Sequence, residues 1–260
     1  MTRAIPAFLL LLGQLFASDS IDRLRQALTL FNSGNYQDSF NLVSQYVQEN
    51  PDSPTGHKLL GMDEFMLGHS PEALAEVKRA TELAPNDPDA RYYLGRLYFS
   101  ADKAPAALEA FKKTIALDPS SVRAHNQLGE TYEALGLRVD AESAYRKAIE
   151  LEKDQPKKSG WPDYNLGVLC LDDGRTADAI DCFRRALQLN PKFPEAKIKL
   201  AVAISKNEPV PEAFELLQDA INLDPRNPEA HYRLALLLSK SGKREEAQEQ
   251  FALFQKYRKP

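Results

Sequence analysis

The residues in this chain that could do chemistry are few. The candidate proton carriers and metal ligands are four histidines, two cysteines and one pair of adjacent carboxylates: His57, His69, His125, His231, Cys170, Cys182, Asp172 and Asp173. Imidazoles and carboxylates serve general acid–base chemistry, and imidazoles and thiolates bind zinc. The spaced motifs of zinc proteases, α/β-hydrolases, P-loop proteins and dinucleotide binders do not occur in the sequence. The sequence therefore predicts no catalytic residues, no metal site and no cofactor.

The cysteine and aspartate pairs have structural interpretations as well. Two thiols are too few ligands for a metal, and Cys170 and Cys182 have no histidine nearby in the sequence. A disulfide is one alternative, but two buried free thiols are favoured because cysteine packs well as a small apolar residue. Asp172-Asp173-Gly174 is typical of a turn between helices, since Asp and Gly suit turn conformations.

The organisation of the chain is a repeat with a period of 34 residues. Leu-Gly or Leu-Ala dipeptides recur 34 residues apart, with one interval of 38, at Leu60-Gly61, Leu94-Gly95, Leu128-Gly129, Leu166-Gly167, Leu200-Ala201 and Leu234-Ala235. A fixed period of this length indicates stacked supersecondary units rather than a single globular core. Many residue patterns in the chain must therefore be interpreted first as packing.

Each unit carries small residues at two positions and a bulky residue at a third. If the second unit begins at Pro54, the small residues at position 8 include Gly61, Gly95, Gly129 and Gly167. Position 20 is Ser39 in the first unit and alanine in the others, and position 24 is a bulky residue such as Phe111 or Tyr145. Glycines near position 15 mark a turn, and prolines near position 32 end the second helix. The pattern predicts two closely packed helices per unit.

This pattern resembles the tetratricopeptide repeat, which has Leu-Gly at positions 7 and 8, Tyr at 11, Ala at 20, an aromatic residue at 24 and Pro at 32. The third unit matches at Leu94-Gly95, Tyr98, Ala107, Phe111 and Pro119. The resemblance implies an all-α fold, a right-handed α-solenoid of stacked antiparallel helix pairs. The predicted divisions are a signal peptide at 1–17, repeats at 20–53, 54–87, 88–121 and 122–155, an insertion at 156–159, and repeats at 160–193, 194–227 and 228–260.

The N-terminal segment predicts export. Arg3 precedes an apolar run from Ile5 to Ala17, and Leu15-Phe16-Ala17 offers a cleavage site. We expect a periplasmic or secreted protein with no membrane span after cleavage. The alternative is a membrane anchor formed by an uncleaved N-terminus.

The junction between the fourth and fifth repeats interrupts the period. It holds Trp161, the only tryptophan of the chain, and Glu142 occupies a stacking position that is otherwise mostly apolar. A tolerated surface insertion is one interpretation. The other is a bend between repeats 1–4 and 5–7, with Trp161 as an exposed anchor for a partner.

The resemblance also implies a concave groove lined by the first helix of each repeat, at positions 2, 5, 9, 12 and 13. We expect the partner-binding residues to be Lys58, Met62, Phe65, Tyr92, Arg96, Phe99, Arg123, Asn126, Glu130, Tyr164, Val168 and Tyr232. Aromatic and methionine side chains suit a helix or an extended peptide laid in a groove. The carboxylate clamp of some family members is broken here, because Met62, Tyr93 and Gln127 replace three of its polar residues.

These observations predict a non-enzymatic scaffold that binds a protein or peptide partner, in cell-envelope or secretion-associated assembly. The net charge of −4 and the mean hydropathy of −0.44 come with no basic stripe, which argues against nucleic-acid binding. Two alternatives are a self-associating structural protein and a regulatory subunit of an enzyme complex. In the seventh unit, Gln248 and Gln255 replace apolar stacking residues, so the last helix is expected to end the array with a polar face.

Overall fold

The computed structural model describes residues 7–258, and it describes side chains from residue 19 onward. No strand occurs within 7–258, so this part of the chain is all-α, as predicted. Its helices are α1 Ala7–Asn32, α2 Tyr36–Glu49, α3 Pro54–Met66, α4 Ser70–Leu83, α5 Pro88–Ser100, α6 Ala104–Leu117, α7 Val122–Ala134, α8 Arg138–Glu152, α9 Trp161–Asp172, α10 Thr176–Leu189, α11 Pro194–Ile204, α12 Pro211–Leu223, α13 Pro228–Lys240 and α14 Arg244–Tyr257.

The chain forms two compact units, Met1–Gln127 and Leu128–Pro260. In unit 1, the pairs α1/α2, α3/α4 and α5/α6 pack in order, with α2 on α3 and α4 on α5. In unit 2, α8 packs on α9, and the pairs α9/α10, α11/α12 and α13/α14 follow in order. Each unit is therefore an α-solenoid in which helix pairs contact mainly their neighbours.

Close packing within a pair depends on the small residues at position 8. A Cβ atom added to Gly95 would lie 2.6 Å from the Phe111 ring, and one added to Gly167 would lie 2.6 Å from the Phe183 ring. Phe111 and Phe183 are fully buried. The aromatic ring of the second helix thus packs directly against the glycine backbone of the first helix. A larger side chain in place of the glycine would force the two helices apart.

Turns and caps set the limits of the helices. Gly34, Gly68, Gly136, Gly174 and Gly242 adopt positive φ in the turns, and Asp102 takes the equivalent position with a φ of 55°. Proline begins several first helices, where its missing N–H group costs no hydrogen bond. Ahead of three of these prolines, a side-chain oxygen caps the helix by accepting a backbone N–H bond, at Ser53, Asp87 and Asn227.

The extra residues between α8 and α9 form a surface loop. The buried Glu152 side chain holds this loop, because it accepts hydrogen bonds from the Ser159 backbone N–H at 2.8 Å and from the Ser159 hydroxyl at 2.6 Å. A single core cluster includes Tyr145 of α8, Leu166 of α9 and Phe183 of α10. The hydrophobic core therefore runs across this junction without interruption.

The last helix packs inward. Tyr232 lies 5.0 Å from Phe254 between ring centroids, and His231 lies 5.6 Å from Tyr257. Phe251 packs against the core cluster of α11, α12 and α13. These aromatic rings of α14 therefore pack against other residues of unit 2.

The predicted signal segment lies only partly within the described residues. Residues 1–6 fall outside them, and the side chains of 7–18 also fall outside. The backbone of α1 is continuous from Ala7 to Asn32. Among the described residues, no helix has both the length and the apolar character that a membrane span requires.

Unit 1 encloses a carboxyl group whose hydrogen-bond geometry fits its protonated form. Asp63 of α3 is fully buried, and its Oδ2 atom lies 2.7 Å from the Ser39 hydroxyl oxygen. That hydroxyl oxygen also lies 2.9 Å from the carbonyl oxygen of Ala27. One hydroxyl proton serves only one of these acceptors. Both contacts become hydrogen bonds if a protonated Asp63 donates to Ser39 and Ser39 donates to Ala27.

Burial favours the protonated forms of the Asp63 and Glu64 carboxyl groups. Burial raises the pKa of Asp63 to about 7, although the Ser39 hydrogen bond opposes the change. Burial also raises the pKa of the adjacent Glu64 to about 7, and repulsion from Glu76, Glu72 and Asp63 adds to it. Both groups therefore bind protons more tightly in the folded chain than in the unfolded chain.

We predict that the stability of unit 1 falls as pH rises from about 4 towards 7, because the folded pKa values of about 7 exceed the ordinary values of 3.8 and 4.5. In the double variant Asp63→Asn/Glu64→Gln this contribution is absent. Relative to wild type, the variant should gain at least ~1 kcal/mol of unfolding free energy across this range. Urea denaturation at several pH values measures the difference.

Glu109→Gln is the matched control, because Glu109 is exposed on α6 of the same unit. It should leave the pH dependence as it is in wild type. Parallel stability curves for wild type and the double variant would show that Asp63 and Glu64 titrate alike in the folded and unfolded chains, which would contradict the prediction.

Candidate functional site

The histidines at position 4 of three repeats are structural residues in this fold. His57 is buried, with Nδ1 at 2.5 Å from Glu76 Oε2 and Nε2 at 2.8 Å from the Pro51 carbonyl oxygen. His231 contacts the Pro225 carbonyl in the same way at 3.1 Å, and His125 contacts the Pro119 carbonyl at 3.2 Å. Each imidazole thus joins the first helix of its repeat to the carbonyl group of the proline that follows the preceding helix.

The two cysteines are buried free thiols, as the sequence analysis favoured. Burial raises the pKa of Cys170 to about 11, with a smaller contribution from Cys182. Burial also raises the pKa of Cys182. Neither thiol is therefore activated as a nucleophile at neutral pH.

Of the two adjacent carboxylates, Asp173, which directly follows α9, takes part in an ion-pair network. Asp173 accepts hydrogen bonds from Arg138 at 2.6 Å and from Arg175 at 3.2 Å. Arg175 also donates to Glu142 at 2.8 Å. This bond explains the acidic residue at an otherwise apolar stacking position, because the ion pair joins α8 to the turn before α10. Across the described residues, no group of three or more His, Cys, Asp or Glu side chains is arranged to hold a metal ion.

The main candidate site of unit 1 is a pocket of about 510 Å³ between α1, α3 and α5, which we call the unit 1 pocket. Met62 and Tyr93 contribute apolar surface from α3 and α5. The α1 wall includes Ile21 and Leu28, which are 54% and 47% exposed. A pocket of this volume with a mainly apolar lining fits an inserted side chain or a short peptide segment.

Charged groups surround the unit 1 pocket. Lys58 and Arg123 both line it, together with Arg25 and Asp89. Lys58 Nζ donates to Asp87 at 2.7 Å. Burial would raise the pKa of the Asp87 carboxyl, but this bond, the Lys58 charge and the backbone N–H bonds of Ala90 and Asp89 together hold it below its ordinary value. Arg123 pairs with Asp89 and lies over the Tyr92 ring at 4.5 Å from its centroid. Lys58, Met62 and Arg123 therefore line one pocket, and their binding of a partner stays a prediction.

The other predicted residues of unit 1 serve different roles. Tyr92 is only 8% exposed and packs on Phe111 with ring centroids 5.9 Å apart, so it belongs largely to the core. Arg96 stacks over the Phe65 ring at 5.1 Å, which forms a half-buried pair beside the pocket. Phe99 is half-buried on α5. Asn126 is buried on α7, which leaves it little surface for a partner.

The α1 wall was not among the residues predicted from the sequence. Ile21, Leu24 and Leu28 recur at i, i+3 and i+7, which is the spacing of one helix face. That signal was present in the sequence. With the first repeat beginning at residue 20, these three residues occupy groove positions 2, 5 and 9, but no residue of that repeat was included among the expected partner-binding residues.

In unit 2, Trp161 lies at the exposed edge of an aromatic cluster with Tyr164 and Phe193. Its ring is 4.6 Å from the Phe193 ring and 5.5 Å from the Tyr164 ring, yet the residue is 45% exposed. Burial raises the pKa of Tyr164 to about 12, with smaller contributions from Glu229 and Glu195. Trp161 therefore presents one face to solvent while the cluster holds the other.

The remaining predicted residues of unit 2 are dispersed. Glu130 accepts a hydrogen bond from Asn165 at 2.9 Å, and Val168 packs against the core cluster of α8 to α11. Tyr232 packs on α14. A second pocket of about 520 Å³ lies between the C-terminal ends of α11 and α13, and we call it the unit 2 pocket. Glu130, Trp161, Tyr164, Val168 and Tyr232 do not line it, whereas Val202 and Leu236, at groove position 9 of the sixth and seventh repeats, do.

Two family models match the sequence. The tetratricopeptide repeat model matches residues 24–88 and 58–122. A model of the middle TPR-like domain of cilia and flagella-associated protein 70 matches residues 125–255, about half of the chain. No curated protein sequence matches the chain significantly.

Solved structures of repeat proteins share the fold. TTC0263, a thermophilic TPR protein of Thermus thermophilus, is 24% identical with a TM-score of 0.62, over 71% of this chain and 98% of that one. PilF of Pseudomonas aeruginosa is 20% identical with a TM-score of 0.68, over 76% and 88%. YrrB, described as a TPR protein with an unusual peptide-binding site, is 21% identical with a TM-score of 0.52, over 70% and 91%. At these identities the similarity concerns the fold.

We predict that Phe193→Ala lowers the unfolding free energy by about 3 kcal/mol and exposes Trp161, because Phe193 is buried against the Trp161 ring. Trp161 emission should move to longer wavelength and become more accessible to acrylamide. Phe31→Ala is the control, since Phe31 lies in unit 1 against Tyr36. It should lower stability but leave the native emission unchanged. Unchanged emission in Phe193→Ala would contradict the observed contact.

Proposed function

The chain belongs to the tetratricopeptide repeat family, whose fold is a general scaffold for protein–protein interaction, and we propose that it is a non-enzymatic scaffold that binds a peptide or protein partner on the exposed faces of its first helices. The principal binding surface in this proposal is the unit 1 pocket. The family is generally non-enzymatic. The buried thiols and the structural role of the histidines support the same conclusion for this chain.

The observation that carries the proposal is the exposed apolar wall of the unit 1 pocket. Ile21 and Leu28 expose about half of their surface, although each could lower the free energy by burial. They share the pocket with the half-buried Met62. Contiguous apolar surface with a charged border is typical of interaction sites. Met62 adds an adaptable side chain that suits varied partner shapes.

The geometry also explains how binding would be specific. The first helices are fixed by paired-helix packing, so a partner would meet a preformed surface and the scaffold would lose little conformational entropy. Lys58 and Arg123 are already hydrogen-bonded to Asp87 and Asp89. These ion pairs hold the long side chains in place at the border of the apolar surface, where they would favour one orientation of the partner.

We further propose that the chain is exported and works in cell-envelope or secretion-associated assembly. The apolar segment from Ile5 to Ala17 supports this proposal, together with Arg3 before it. Cleavage after Ala17 would retain residues 18–32 of α1, including Ile21, Leu24 and Leu28. Processing would thus preserve the wall of the unit 1 pocket.

We predict that a photoreactive amino acid at Leu28 or Met62, expressed in the natural host, crosslinks a discrete partner protein. The same probe at Lys112, exposed on α6 away from the pocket lining, should not. With that partner in hand, Leu28→Glu should weaken its binding tenfold or more, about 1.4 kcal/mol, with unchanged helix content by circular dichroism. Lys112→Glu should bind as wild type does.

Two results would count against this function. Equal crosslinking from Leu28 and Lys112 would show that the pocket is no specific surface. Crosslinks only between copies of the chain, with a dimer or larger mass in solution, would favour the self-associating alternative.

We predict that the chain recovered from the natural host begins at Ser18 and lies outside the cytoplasm. Mass spectrometry of the intact protein from cell fractions measures both properties. A chain that retains residues 1–17 and sediments with membranes would instead support an N-terminal anchor.

A further inference from the structure

The unit 2 pocket combines apolar walls with unneutralised positive charge. Its volume is about 520 Å³, within the range of ligand-binding clefts. Val202, Leu236 and Leu237 supply apolar surface, and Leu236 is among the exposed large apolar residues of the described chain. The charged residues in its lining are Lys206, Arg233 and Lys240, and no aspartate or glutamate lines it.

The two lysines have no acidic partner in the described part of the chain. Lys206 Nζ donates to the Thr176 hydroxyl at 3.4 Å, which is a neutral contact. Neither Lys206 nor Lys240 takes part in any of the ion pairs found among the described residues, and both are exposed. Lys206 and Lys240 are 34 residues apart, so they occupy the same position of consecutive repeats. The repeat thus places matching cations on two neighbouring first helices or just beyond them.

Arg233 adds a donor to this surface. Its Nη2 atom donates to Glu229 at 3.3 Å, and Glu229 also accepts from Lys199 at 3.0 Å. The Nε atom of Arg233 is buried and has no hydrogen-bond acceptor among the described residues. The Arg233 charge is thus partly balanced by Glu229 and its Nε atom is closed to solvent, so the free cations of the pocket are Lys206 and Lys240.

Resting on the scaffold function proposed above, we infer that the unit 2 pocket binds an acidic segment of a partner protein, with an aliphatic side chain between Val202 and Leu236 and acidic side chains beside Lys206 and Lys240. The apolar walls require the aliphatic group, and the uniform sign of the lining charges requires anions. Lys240 is the last residue of α13 and Lys206 lies two residues after the end of α11, so the two cations border the pocket from consecutive repeats. We assign one carboxylate to each lysine, which a chain terminus with its single carboxylate cannot supply, so side chains of aspartate or glutamate are the source.

The test uses the full mature chain and a capped peptide, acetylated and amidated, with a central leucine flanked by two glutamates on each side and an uncharged fluorophore. Fluorescence anisotropy should show saturable binding that weakens as salt is raised from about 50 to about 500 mM. Replacing the leucine by serine, or the glutamates by glutamines, should weaken binding at least fivefold. A peptide whose single carboxylate is its C-terminus should bind no better than the glutamine peptide.

Lys206→Gln/Lys240→Gln should weaken binding of the acidic peptide at least fivefold. Lys157→Gln/Lys158→Gln is the matched control, since it removes two exposed lysines from the loop after α8 and should bind as wild type does. Helix content and urea midpoints of both variants show whether they fold. If the lysines serve only to offset the partial negative charge at the C-terminal ends of α11 and α13, their replacement will change stability and leave peptide binding unaltered. That result would overturn the inference.

Other outcomes separate this inference from the function on which it rests. No binding of the acidic peptide to wild type overturns the inference, while partner crosslinks at Leu28 and Met62 would still support the scaffold. Equal binding of the peptide with only a terminal carboxylate would overturn the choice of acidic side chains. Loss of the Leu28 crosslinks with retained peptide binding would instead contradict the unit 1 pocket.

Discussion

Each helix pair depends on a glycine or alanine of the first helix that lies under a bulky residue of the second. Gly95 beneath Phe111 and Gly167 beneath Phe183 are two such contacts, in which an added Cβ atom would lie 2.6 Å from the ring. This contact sets the distance between paired helices. It also fixes which side of the first helix is buried and which side stays available for a partner.

Several residues of the types that could do chemistry instead form contacts between neighbouring helices. His57 and His231 bond to the carbonyls of Pro51 and Pro225, and Asp173 accepts from arginines before and after it. A residue type alone therefore did not identify a function here. An imidazole that could serve catalysis here links consecutive repeats, because one ring nitrogen contacts a side chain of its own repeat and the other contacts a proline carbonyl of the preceding repeat.

The exposed residues are the ones that carry the functional proposals. Leu28 and Leu236 remain partly exposed although the helices around them are closely packed, and each lines a pocket bordered by cations. The charges differ in one respect. Lys58 and Arg123 already pair with aspartates of unit 1, while Lys206 and Lys240 form no ion pair with an acid among the described residues. Charge would orient a partner at the unit 1 pocket and attract an acidic partner at the unit 2 pocket.

The sequence by itself determined the repeat, the helix pairs and the all-α solenoid, because these follow from local spacing: small residues 34 apart, glycines in turns and prolines at helix ends. It also placed Lys58, Met62 and Arg123 on one surface. Only the tertiary structure decided that Tyr92 is core, that α1 forms a pocket wall, and that Lys206 and Lys240 border a cleft. Exposure and the pairing of charges depend on neighbouring helices, which the position of a residue within its repeat does not specify.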